Sequence, residues 1–202
     1  MDWDKFNNAT ELISKGRPEE SLSLYQSLDN QGETADDRAA LLLACGRCYA
    51  LIGDRFQAFR CVAEAHSLNI ADPAVKSQVE FSEANLLLWV REFQFAAEKF
   101  RTIRTTYQDV LRNPEHQDFA QELKSRYADS LTFLGEYAEA IPLLQELIAS
   151  DAEVRQHSFL YLGICLVNSG ATKEGRQALL EATLGDDEQT SDDARKRLAQ
   201  LG

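Results

Sequence analysis

The sequence predicts an all-α protein assembled from repeated helix pairs, and three observations carry that prediction. Strand-type alternation is nearly absent, whereas apolar residues recur at helical spacing. Leu41, Leu42, Cys45, Cys48, Tyr49 and Ile52 make one stripe, and Phe93, Ala96, Ala97, Phe100 and Ile103 make another. Pro18, Pro73 and Pro114 fall between such segments or at their starts, where a residue without an N–H does least harm. Finally, one short pattern of small and large residues around a glycine recurs along the chain.

Taken in order, the periodicity predicts about eleven helices, near 2–15, 18–29, 35–52, 55–68, 74–90, 93–112, 116–134, 137–149, 152–169, 172–183 and 190–201. The recurring pattern sits at the turn inside each pair. Gly16, Gly53, Arg91, Gly135 and Gly170 occupy the column that ends the first helix, and glycine takes the left-handed cap there without a Cβ penalty. Five residues on stands a small residue: Ser21, Ala58, Ala96, Ala140 or Gly175. Seven residues back stands another: Ala9, Gly46, Ala84, Ala128 or Gly163. Two small columns let paired helices approach closely. Large residues fill what remains: Leu12, Tyr49, Leu87, Leu131 and Leu166 on the first helix, Tyr25, Val62, Phe100, Leu144 and Leu179 on the second.

This order of small, large, glycine, small and large resembles the tetratricopeptide repeat. Gly46, Tyr49, Gly53, Ala58, Val62 and Ala65 form one of the best copies, and Gly135-Glu136-Tyr137-Ala138-Glu139-Ala140 belongs to the other. The resemblance implies a right-handed α-solenoid of antiparallel helix pairs. Its five repeats would span roughly 2–34, 35–72, 73–115, 116–151 and 152–186, followed by an acidic linker and capping helix over 187–202. The chain departs from the family in spacing. The longest offset, between Arg91 and Gly135, points to a helix that runs on from Phe93 to Arg112. In the terminal segment Ser191 suits an N-cap, with acids at the positive end of the helix dipole and bases at the negative end.

Charge narrows the function classes. The 202 residues carry a formal charge of −12, a field that repels nucleic-acid phosphates and anionic lipid, so neither is expected as a partner. The acids concentrate at both ends, while residues 91–126 hold seven bases against six acids. No apolar run is long enough for a transmembrane helix, and Met1-Asp2-Trp3-Asp4-Lys5 leads into no signal-type apolar segment. With four cysteines and no export signal, free thiols in a reducing cytoplasm are expected.

Enzymatic chemistry finds no nominee. Cys45-Gly46-Arg47-Cys48 has redox or zinc-knuckle spacing, yet it falls mid-helix with no second pair, and Cys48 shares its column with Cys165. Buried apolar thiols explain both. His66, His116 and His157 lie at no metal-ligand spacing, and phosphate-loop and nucleophile-elbow motifs are missing. Glu19-Glu20 and Asp36-Asp37 suit helix N-termini. The reading is therefore of a non-enzyme with no catalytic residue, no metal and no cofactor.

What remains is a surface. In tetratricopeptide arrays the first helices of successive pairs line a concave groove. The resemblance places Leu43, Arg47, Phe81, Asn85, Trp89, Arg126, Asp129 and Phe133 there, with His157, Leu160, Ile164 and Asn168 further along. Aromatic residues beside arginine suit interaction hot spots, so the expected partner is an unidentified protein or peptide segment. A self-associating protein, such as a homodimer using the groove or the 93–112 helix, is the alternative. The carboxylate clamp of chaperone-binding tetratricopeptide domains is not expected. Its basic and amide positions read Phe6, Thr10, Ala44, Gln78 and Ser82 here; shifted by one repeat, only Arg126 matches.

Overall fold

A computed structural model describes residues 1–28, 34–150 and 154–201. Every regular element among them is helical. The helices are α1 Trp3–Ser14, α2 Pro18–Gln26, α3 Ala35–Ile52, α4 Arg55–His66, α5 Pro73–Trp89, α6 Phe93–Thr106, α7 Gln108–Arg112, α8 Gln117–Leu134, α9 Tyr137–Ala149, α10 Arg155–Asn168, α11 Thr172–Ala182 and α12 Glu188–Gln200. A 3-10 turn at Pro114–His116 precedes α8. The ends at residues 29 and 152–153 expected for two helices lie outside the described residues.

The chain forms two compact units, Met1–Val90 and Arg91–Gly202. In the first, α1 pairs with α2 and α3 with α4, while α2 meets α3 and α4 meets α5. In the second, α8 pairs with α9 and α10 with α11; α6 packs on α8, α9 on α10, and α12 on both α10 and α11. The boundary falls inside the third helix pair of the sequence frame.

The small columns and the large column of the second helices lie in the core, whereas Leu12, Tyr49, Leu87 and Leu166 of the first helices are half-buried. Ala9, Ala84 and Ala128 are fully buried, as are Ser21, Ala58, Ala96 and Ala140. Tyr25, Val62, Phe100, Leu144 and Leu179, the large residues of the second helices, are buried too. Ser21 adds a hydrogen bond from its hydroxyl to the Ala9 carbonyl at 2.7 Å, which ties the small residues of α1 and α2 together. The glycine column takes left-handed φ at Gly16, Gly53, Gly135 and Gly170. Arg91 does the same at φ 69°, so the turn imposes its geometry even where glycine is missing.

Two expectations need correction. The helix from Phe93 does not run to Arg112. It stops at Thr106, and Tyr107 (φ −110°, ψ 36°) separates it from the short α7. Thr105 turns its hydroxyl back onto the Arg101 and Thr102 carbonyls, and the β-branched Thr105-Thr106 run resists helix continuation. The N-cap of α12 is Asp187 rather than Ser191. Asp187 accepts from the Gln189 N–H at 3.1 Å, whereas Ser191 is buried within the helix. Pro142 sits inside α9, where it leaves the Ala138 carbonyl without its intrahelical donor.

No helix among the described residues is long and apolar enough to cross a membrane. All four cysteines are unbridged: Cys48, Cys61 and Cys165 are buried and Cys45 is half-buried. The Cys48 thiol faces the Ser21 hydroxyl at 3.5 Å, and Cys165 faces the Thr132 hydroxyl at 3.2 Å. Burial raises both thiol pKa values.

Candidate interaction face

The groove residues predicted from the repeat frame divide between the two units. In the first unit, Leu43 on α3 is half-buried between two core clusters, and Phe81 on α5 is buried. Arg47 is exposed. Trp89 packs against the cluster around Ala58, Val62 and Leu86, with the Arg55 guanidinium over its ring at 4.8 Å. The buried Asn85 Oδ1 has no hydrogen-bond partner among the described residues. Much of this set therefore belongs to the core, and Arg47 is its open member.

In the second unit the structure brings the predicted residues together. Arg126, Asp129 and Phe133 lie on α8 at spacings of three and four, hence along one face. Asp129 is only 2% exposed, and its carboxylate is shared. His157 of α10 places Nε2 at 2.9 Å from Oδ1 and 3.1 Å from Oδ2, and Arg126 Nη1 approaches Oδ2 at 3.5 Å. A buried carboxylate needs such partners, because desolvating an unpaired charge costs several kcal/mol per ion, on the order of its measured effective penalty. The pairing also pins α10 to α8.

An aromatic corner adjoins this pair. Tyr161, one turn beyond His157, packs on the imidazole with centroids 4.5 Å apart, and meets Phe133 edge-on at 5.9 Å. Phe133 in turn stacks on Phe93 of α6 at 4.6 Å and 15°. Such offset and edge-to-face pairs fix ring positions beyond what burial alone supplies. Phe133 nevertheless remains 50% exposed. Burial, then the Asp129 charge, pushes the Tyr161 phenol pKa well up, so its hydroxyl stays protonated. Sequence reasoning missed Phe93 and Tyr161 as members of this face. Tyr161 could have been found from its spacing of four after His157; Phe93 could not, because it belongs to a second helix.

Two further polar clusters brace the unit. The Tyr127 hydroxyl, fully buried, donates to Glu139 of α9 and accepts from Arg101 Nε of α6 at 3.0 Å, while Arg101 Nη2 reaches Glu139 at 3.2 Å. Near α12, the Gln156 amide nitrogen contacts the carbonyls of Ala182 and Asp187 and the Ser191 hydroxyl, at 3.0, 3.1 and 3.0 Å, and its oxygen accepts from the Asp187 N–H at 3.0 Å. No group of three or more His, Cys, Asp or Glu residues suited to a metal ion occurs among the described residues.

No protein-family model matches the chain. No curated protein matches it in sequence. Solved structures do match in fold. A kinesin light chain-type protein of Podosopora anserina, with nearly identical TPR-like repeats, superposes with a TM-score of 0.65 at 16% identity, over 89% of this chain and 92% of that one. YrrB, a TPR protein with an unusual peptide-binding site, gives 0.60 at 14% identity, over 95% and 90% of the two chains. MamA gives 0.58 at 12% identity, over 95% and 96%. The fold is that of tetratricopeptide-repeat proteins, in a divergent form.

Proposed function

We propose that the chain is a non-catalytic protein-interaction scaffold that holds a polypeptide segment on the α8–α10 face. The observation that carries this reading is Phe133. It is held on two sides by aromatic rings, yet half of its surface is open. A rigid, half-open aromatic ring beside an arginine is the composition of an interface hot spot, and its preorganisation lowers the entropic cost of binding. Arg126 and Asp129 precede it along the same helix. Of the first unit's predicted groove residues Leu43, Arg47, Phe81, Asn85 and Trp89, Arg47 is the one open to contact a partner, and the others support it from the core side. The likeness in fold to YrrB, a TPR protein with an unusual peptide-binding site, supports the class of function. Four unbridged thiols suit a reducing compartment such as the cytoplasm.

The test is capture of partner proteins by the full chain and by Phe133→Asp, with Phe95→Asp as control. Phe95 is 59% exposed on α6, so its replacement controls for a generic loss of surface hydrophobicity. Partners lost with Phe133→Asp and kept with Phe95→Asp support the face, provided circular dichroism is unchanged. Equal retention by both variants refutes it.

Self-association is the second reading, favoured by a separate apolar surface. Leu51, Ile52 and Phe56, at the α3–α4 turn, are 57%, 39% and 72% exposed. A sedimentation coefficient independent of protein concentration dismisses this reading; a rise that Phe56→Ser abolishes supports it.

A further inference from the structure

Given an interaction face on α8 and α10, the charges on it restrict what it accepts. Asp129, one turn before Phe133 on α8, is withdrawn: its side chain is 3% exposed and both oxygens contact His157. Arg126 is the reverse. Its side chain is 42% exposed, and the 3.5 Å approach to Asp129 is its only ion pair among the described residues. Nη1 makes that contact, which leaves Nε and Nη2 without a hydrogen-bond partner among them. A ligand lying along α8 from Phe133 thus meets an open apolar ring first and an open guanidinium second. Exposed Glu122 comes one turn further on and closes the stretch favourable to an anion.

Spacing then fixes the ligand's pattern. Arg126 and Phe133 are seven residues apart, close to two full turns, so they point the same way about 10 Å apart. An extended chain advances roughly 3.3 Å per residue, so about three residues cover that distance. We propose that this face recognises an extended polypeptide segment in which a large apolar side chain, seated on Phe133, lies three residues from an aspartate or glutamate that pairs with Arg126. The charge-assisted arginine–carboxylate pair supplies selectivity, and the ring supplies apolar contact. This inference rests on the interaction-face reading and adds the ligand chemistry to it.

The experiment is selection of a random peptide display library on the full chain, on Arg126→Glu and Arg126→Gln, and on Phe133→Ala. The wild-type chain should enrich the apolar–acid pair at that spacing by about tenfold over the unselected pool. Arg126→Glu should replace the selected acid with lysine or arginine. Arg126→Gln, which leaves Asp129 no like-charged neighbour, should remove the charge preference while keeping the apolar one. Phe133→Ala should lose the apolar preference. The proposal is overturned if no pair is enriched, if the selected charge ignores Arg126, or if a second copy blocks the face and appears as a dimer in sedimentation. Peptides that depend on Phe133 but carry no acid overturn the charge assignment alone. Peptides indifferent to both residues count against the interaction face itself.

Discussion

Gly163 on α10 and Gly175 on α11 face each other so closely that a Cβ on either would lie 3.0 Å from the other's carbonyl oxygen. A Cβ on Gly163 would meet the Leu179 side chain at 2.6 Å, whereas one on Gly175 would also stand 2.8 Å from the Val167 backbone nitrogen. Alanine gains about 1 kcal/mol over glycine in a helix interior, but overpacking costs about 1–3 kcal/mol, and here backbone is what must move. Gly175→Ala should therefore destabilise the chain, by up to about 2 kcal/mol in urea unfolding. Gly46→Ala, whose Cβ would meet Cys61 Cβ at 3.2 Å, should lie closer to neutral. Equal effects at the two sites would contradict the close crossing.

Arg91 holds the left-handed conformation that glycine holds at the four other turns. A left-handed non-glycine residue costs roughly 1–2 kcal/mol. Glycine gives back part of that through greater freedom in the unfolded chain, roughly 0.5–1 kcal/mol. Arg91→Gly should stabilise by about 0.5–1 kcal/mol, read as a higher unfolding midpoint. An unchanged or lower midpoint would mean that the arginine side chain contributes something of its own.

The Tyr127–Glu139–Arg101 cluster makes stability depend on acid pH. The Tyr127 hydroxyl, then the Arg101 charge, hold the Glu139 carboxyl below its ordinary pKa. A carboxyl with a lowered folded pKa contributes fully above its unfolded pKa, and that contribution fades as pH falls through the folded value. Stability of the wild type should accordingly fall more steeply on acidification than that of Glu139→Gln. Parallel curves would show the cluster to be energetically silent.

Gln156 should act as the tether of α12. Gln156→Ala removes its hydrogen bonds to Ala182, Asp187 and Ser191 together. Hydrogen exchange over 188–200 should quicken while α8 and α9 keep their protection. Unchanged exchange in α12 would assign its docking to Ala194 and Leu198 alone.

The fold was legible because each repeat column answers to one physical demand. Ala9, Ser21, Ala128 and Ala140 are small where helices cross, and the glycines are glycine where φ is positive. Arg91 shows the frame holding where the residue type fails. The break at Tyr107 was hidden because apolar periodicity runs through it, and only the Thr105-Thr106 pair marks the weak point. The candidate face was half legible. Repeat register put Arg126, Asp129, Phe133 and His157 on one surface, but that Asp129 is buried and spent on His157 depends on the spacing of α8 and α10. Register also predicted Phe81 and Trp89 as groove residues, although large side chains at those positions go partly or wholly into the core.

A partner polypeptide resting on the α8–α10 face must come within reach of residue 133. Photocrosslinking of a captured partner from benzoylphenylalanine placed at position 133 tests this, with the same probe at position 95 for comparison. Crosslinks from 133 and none from 95 are the expected result. Crosslinks from 95 alone would contradict the claim and move binding to the outer surface of α6.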